Sequence, residues 1–354
     1  MSVVNVMLFT NLKHLLKLKW DYLIILDACR YDYFVKVYHE FLRGTLRKAL
    51  SPATKTEKWV KAIFKKRYED IVYISANPII SSKITVWGFE AKKHFYKVLD
   101  VWYWGWSEEW GSVPPWEVND AVLEVFREFP GKRVIIHYMQ PHAPYAPTAY
   151  LFKNYKIEDP FTLVRLREPF TKDTFRRQKA LRLLSTMQKS ISHLLPKWIP
   201  RQSLLWKLRK VLNIPPKSPE ELFYRSFSVR EIQLMYELNL RYVLKYVNEL
   251  VKDLLKLDEN LKIVITSDHG ELLGERGEIG HVVGHNLPKR YELKLREVPW
   301  FEVLEPVENV TKWYGDDPHA LKFAKYFEIA ERELRAKKTL KIRIRKVRRK
   351  LMNR

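Results

Sequence analysis

The stretch Lys262-Ile-Val-Ile-Thr-Ser-Asp-His-Gly-Glu271 decides how this chain folds. Ile263 to Thr266 is a β-prone run that leads into an acid, an imidazole, a glycine and a second acid. A short apolar run bounded by polar residues predicts a buried strand. Behind it come Gly274, Gly277, Gly280 and Gly284 with His281 and His285, the composition of a loop. Asp268 and His269 therefore stand where a core strand ends and a glycine-rich loop begins. In open α/β sheets, ligands bind at that edge.

Two other apolar runs end in chemistry. Tyr22-Leu-Ile-Ile-Leu26 runs into Asp27, and Arg133-Val-Ile-Ile-His-Tyr-Met139 into a proline-stiffened loop that carries His142. After Asp27, the spacing of Phe34, Val35, Tyr38, Phe41 and Leu42 predicts a helix. In Ser51-Pro-Ala-Thr-Lys-Thr-Glu-Lys-Trp59, Thr54 and Glu57 have the spacing of a capping box, which predicts that a helix opens there. Free N–H groups at a helix start attract anions. Thr54 is thus a candidate reactive hydroxyl, with Thr56 and Ser51 as alternatives. Ile71–Ser75 reads as a short strand and Asn77-Pro78 as a turn. The tryptophan-rich stretch from Trp102 to Trp116 reads as a packed loop.

Helices are expected from about Glu117 to Phe129 and from about Val229 to Leu257, and a late strand over Val298–Val303. Strands that alternate with helices predict an α/β fold, a mostly parallel central sheet with helices on both faces. Residues 1–330 read as one catalytic domain with a basic helical insertion at about 150–230, and residues 331–354 as a basic helical tail.

The chain has 354 residues, 46% of them apolar, enough for a real core. Its single cysteine, Cys29, allows no internal disulfide and no cysteine-based zinc site. No run approaches the ~18 apolar residues of a membrane-spanning helix. A cytoplasmic location is expected, with the chain peripheral on the inner face of a membrane. The net charge is +23, unevenly spread. Residues 161–212 hold 13 Lys/Arg against 2 Asp/Glu, and residues 331–354 hold 12 against 2. The remainder is close to neutral, so nucleic acid bound along the whole face is not expected. Leu, Ile and Trp interleaved with the basic residues suit an anionic membrane surface.

Taken in order, Leu26-Asp-Ala-Cys-Arg-Tyr-Asp32, the Ser51–Trp59 stretch, His137-Tyr-Met-Gln-Pro-His-Ala-Pro-Tyr145 and the opening stretch through Gly280-His281 and Val298-Pro-Trp300 resemble the alkaline phosphatase/sulfatase superfamily. The likeness is to its sulfatase-like archaeal members and, more distantly, to phosphoethanolamine and phosphoglycerol transferases. It spans roughly residues 20–145 and 230–305. The resemblance implies an alkaline phosphatase-like fold and a metal-dependent hydrolase or transferase of phosphate or sulfate esters; the basic segments would bring it to a lipid-linked or glycan substrate. It implies Asp27, Asp268 and His269 as ligands of a divalent metal (Zn, Mn or Ca). Thr54 matches the nucleophile that touches this metal. His142 and His281 match histidines that bind the transferred group or a second metal. Lys55 and His285 stand beside them as substrate-binding candidates.

Two departures sharpen the reading. The C-x-P-x-R signature of sulfatases is absent, which favours phosphate esters. No D-x-x-x-H pair stands mid-chain, so one metal is expected rather than two. The competing reading is a degenerate member that binds membranes or polyanions without catalysis.

Overall fold

In the computed structural model, residues 10–148, 201–211, 216, 218–281, 287–310 and 312–352 are described. Their elements are, in order, β1 Thr10–Asn11, β2 Tyr22–Leu26, α1 Tyr31–Val37, β3 Leu42–Leu50, α2 Thr56–Ile63, β4 Tyr68–Ser75, β5 Phe95–Asp100, α3 Val101–Gly105, α4 Pro115–Glu128 and β6 Arg133–Tyr138. Then follow α5 Arg201–Val211, α6 Pro219–Ser226, α7 Val229–Leu257, β7 Ile263–Thr266, β8 Leu272–Leu273, β9 Ile279–Gly280, α8 Lys289–Lys294, β10 Glu297–Pro306 and α9 Pro318–Met352.

Eight strands form one sheet in the order β1-β3-β10-β7-β2-β6-β4-β5. Only β10 runs antiparallel to its neighbours, so the sheet is mostly parallel as predicted. Strand side chains alternate between faces. Ile24, Leu26, Val72, Ile74 and Ile136 join a core with α1, α4, α7 and α9 on one side. Leu23, Ile25, Ile71, Tyr73 and Ile135 join a second core under α2 on the other. The parallel strands bring the carboxyl ends of β2, β4, β6 and β7 to one edge.

The helix expected across Phe34 to Leu42 ends as an α-helix at Val37, tightens into a 3-10 turn over Tyr38–Glu40, and gives way to β3 at Leu42. β3 fits because Gly44 has no side chain: a Cβ there would collide with the Glu302 carbonyl of β10. Trp102, Trp110 and Trp116 are buried in the larger core as expected, but only Trp110 is on a loop: Trp102 belongs to α3 and Trp116 to α4. α7 has its expected limits, and a capping box between Ser228 and Glu231 sets its start.

Of the basic segment read as an insertion, α5 and α6 are helices, while 149–200, 212–215 and 217 lie outside the described residues. α9 runs through residues 330 and 331 without a break. Part of its charge is paired with the body: Lys337 meets Glu109 at 2.7 Å, and Lys338 meets Glu117 at 2.9 Å and Asp120 at 2.8 Å. Among the described residues no helix is long and apolar enough to cross a membrane.

Candidate active site

β2 and β7 are parallel neighbours, with Ile25 opposite Thr266, so the residues just beyond them share one edge. Asp27 and Asp268 stand there, both buried. Ala28 adopts the left-handed conformation at φ 59°, a strained choice for a non-glycine residue. Its backbone N–H donates to Asp268 Oδ1 at 3.2 Å, as does that of His269 at 2.9 Å. Asn77, beyond β4, donates from Nδ2 to Asp27 Oδ2 at 2.6 Å. Burial alone would push the Asp27 carboxyl up, but His137, His142 and His269 hold it well below the usual range.

His269 completes the group. Its Nδ1–H donates to the Gly270 carbonyl at 2.7 Å, which leaves the Nε2 lone pair free. Nε2 lies 3.5 Å from Asp27 Oδ1 and 3.4 Å from Asp268 Oδ2. His142 repeats this pattern: its Nδ1 donates to the Ala143 carbonyl at 2.7 Å. A backbone carbonyl that fixes one ring nitrogen is the common support of a metal-binding histidine. The His142 loop is held at two points. Its N–H donates to the Asp27 carbonyl at 3.0 Å, and Asn239 Nδ2 faces the carbonyls of Pro141, His142 and Pro144 at 3.2, 3.4 and 3.3 Å.

Asp27, Asp268 and His269 bring ligand atoms within 4.8 Å of one another, and so do His142, Glu271 and His281. The two groups adjoin: the rings of His269 and His281 are 4.5 Å apart between centroids, and those of His142 and His281 4.9 Å. Burial pushes the Glu271 carboxyl up to about 8, although His142 draws it down. For His142, burial lowers the basicity, but Asp27 and Glu271 outweigh it and raise the ring to about 9. His281 is held well below its usual value by burial and by its two neighbouring imidazoles.

Among the described residues, Asp27 Oδ1, Asp268 Oδ2, both Glu271 oxygens and His281 Nδ1 have no hydrogen-bond partner. An unsatisfied buried polar atom costs about 1–3 kcal/mol. Several such atoms facing one another is an arrangement that a cation relieves. Mixed carboxylates and imidazoles fit Zn or Mn.

The expected capping box at Thr54 and Glu57 does not form. α2 opens at Thr56, with Lys55 as its cap and no side-chain cap bond. The helix starts one residue later than that spacing predicts, so Thr56 is its first residue and occupies the first turn. Its Oγ1 lies 3.4 Å from His269 Nε2. The Ser51 hydroxyl is committed to the Asp268 carbonyl. Thr54 is half-buried and makes no side-chain hydrogen bond among the described residues. Lys55 pairs with Glu57 at 3.5 Å and is near enough to depress the basicity of His281. His285 lies outside the described residues.

Sequence reasoning missed Glu271 and Asn77. Glu271 was visible as the last residue of the opening stretch. Asn77 was visible only as turn chemistry, and its contact with Asp27 spans 50 positions.

No family model matches the chain, and no curated protein does. Its structural neighbours are phosphoethanolamine transferases. One is the soluble domain of lipooligosaccharide phosphoethanolamine transferase A from Neisseria meningitidis: 14% identity over 80% of this chain and 76% of that one, TM-score 0.39. Another is the periplasmic domain of EptC from Campylobacter jejuni, at 12% identity over 83% and 82%, TM-score 0.37. A third is that of Escherichia coli EptC in complex with Zn, at 12% over 84% and 75%, TM-score 0.39. At such values the chemistry of the site rests on the distances above and not on the likeness.

Proposed function

We propose that the chain is a metal-dependent transferase or hydrolase of phosphate or sulfate esters that works through the Thr56 hydroxyl. The observation that carries this is Thr56 Oγ1 at 3.4 Å from His269 Nε2, at the rim of a buried acid–histidine cluster. Asp27, Asp268 and His269 would hold one cation. His142, Glu271 and His281 would hold a second, in place of the single one expected. Glu271 decides the second, because its two oxygens, with no hydrogen-bond partner among the described residues, stand with His142 and His281 as a third ligand. When bound, such cations acidify a hydroxyl and neutralise charge on the transferred group.

The chain's own residues do the rest. Thr56 displaces the alcohol of the ester in line, which leaves the phosphoryl or sulfuryl group on Oγ1 and releases the alcohol. Water or an acceptor alcohol then takes that group and restores the Thr56 hydroxyl. Lys55 adds positive charge near the transferred anion, and the free N–H groups of α2 face it. Burial of the cluster excludes bulk water and strengthens each of these contacts.

The substrate side of the proposal is an ester presented at an anionic membrane surface. Supporting it, α5 exposes Leu204, Leu208 and Val211 along one stripe, with Lys207 and Lys210 also exposed. α5 packs on α6 through Arg209 and Glu221 at 2.9 Å, and Glu220 of α6 is close enough to act on His142 and Glu271. Co-sedimentation with anionic vesicles should fall in a double L204D/L208D variant. Equal binding by both proteins would remove the membrane from the account.

A chromogenic panel of a phosphomonoester, a phosphodiester and a sulfate ester, run with Zn²⁺ and with Mn²⁺, tests the chemistry. Thr56→Ala should lose on the order of 10⁴-fold or more of the turnover. Thr54→Ala should stay within about threefold of wild type, as expected for a residue that bonds to nothing in the site. The reverse result would return the nucleophile to Thr54, and wild-type turnover in both variants would end the hydroxyl scheme.

A further inference from the structure

His137 is a fully buried histidine that the mechanism above does not use. It lies on β6, level with Ile25 of β2 and Ser75 of β4, on the sheet face covered by α2. Its surroundings are aromatic: the Trp59 ring is 6.5 Å away and the Tyr73 ring 6.1 Å. An imidazole in such a place is costly unless both nitrogens have a task.

One task is plain. The Tyr73 hydroxyl lies 2.9 Å from His137 Nδ1, its one hydrogen-bond partner among the described residues. A phenol at neutral pH carries its proton and must donate it, so Nδ1 accepts. The ring proton of neutral His137 is therefore on Nε2. Nε2 has no hydrogen-bond partner among the described residues and faces Asp27 Oδ2 at 3.5 Å.

The two oxygens of Asp27 are thus unlike. Oδ2 is turned towards donors, Asn77 Nδ2 at 2.6 Å and His137 Nε2 beyond it. Oδ1 has no hydrogen-bond partner among the described residues and faces His269. We propose that Tyr73 and His137 are positioning residues that act through Asp27. Tyr73 fixes the tautomer of His137, and His137 with Asn77 holds Oδ2, so that Oδ1 alone is presented to the cation. The inference rests on the cation site proposed above and adds the device that orients its first carboxylate. A merely structural His137 would fill space between β2, β4 and α2, and the state of Nδ1 would not matter to the metal.

The test measures Zn²⁺ affinity by competition with a chromogenic chelator, with no substrate present. Tyr73→Phe keeps the ring, removes only the hydroxyl, and should weaken Zn²⁺ binding about tenfold. His137→Leu should weaken it by roughly 10–100-fold, the usual effect of removing a group that orients a metal ligand. His137→Gln puts an amide N–H near the position of Nε2 and should recover most of the loss. Thermal unfolding of the metal-free proteins separates misfolding from lost affinity, and Tyr73→Phe is the variant least exposed to that fault. Wild-type affinity in folded Tyr73→Phe and His137→Leu would overturn the inference and leave the cation site standing. A wild-type protein that binds no Zn²⁺ would overturn both.

Discussion

The two acid–histidine groups at the sheet edge are built differently. Asp27 and Asp268 sit directly beyond core strands, and each has one oxygen tied down, by Asn77 or by the N–H groups of Ala28 and His269. The second group sits on loops. Neither oxygen of Glu271 has a hydrogen-bond partner among the described residues, and the side chain of His281 is 15% exposed. The contrast teaches that a carboxylate with a committed oxygen is pre-set for a cation. One with two free oxygens must be organised by the cation itself, so the first group should hold metal more tightly and exchange it more slowly.

Metal content and turnover of variants can break that ranking. Asp268→Asn should have the largest effect, weakening metal binding on the order of 10³-fold and abolishing turnover with it. Glu271→Gln should cost less. It should remove one of two bound metals by elemental analysis and lower turnover on the order of 10²-fold, with the first site still filled. Two metals retained in Glu271→Gln would show that the second group is not a cation site. Asn239→Ala should have the smallest effect. It leaves three loop carbonyls short of a donor and should destabilise the protein by about 1–3 kcal/mol, read by urea unfolding. Turnover in that variant should fall about tenfold, through the loop that carries His142.

The same contrast explains what could be seen in the sequence. β2, β6 and β7 were legible because each is a short apolar run with chemistry at its end. α7 was legible from its apolar period. β3 was not: Leu42-Arg-Gly-Thr-Leu-Arg-Lys-Ala-Leu50 carries three charges and a glycine, and it is a strand because β10 covers one of its edges along nearly its whole length. β5 hid for a related reason, since Phe95–Asp100 is a half-exposed strand at the sheet margin.

At the site, the acids and histidines beyond strand ends are legible as chemistry, and the polar residues that support them from neighbouring strands are not. Asn77 reads as a turn residue, and His137 lies within the β6 run without a signal of its own. The capping-box spacing points to Thr54 rather than Thr56 because it is a local signal, and here the chain starts its helix one residue later. Glu271 belonged to the motif but took its role only once His142 and His281 had converged on it.

The central claim is that Asp27, Asp268 and His269 hold a divalent metal beside Thr56. Anomalous diffraction from crystals grown with Mn²⁺, recorded where Mn scatters anomalously, tests it most directly. The account predicts a strong peak among Asp27 Oδ1, Asp268 Oδ2 and His269 Nε2, with Thr56 Oγ1 as its neighbouring hydroxyl. No peak there at saturating Mn²⁺, or a peak only at the second group, would contradict it.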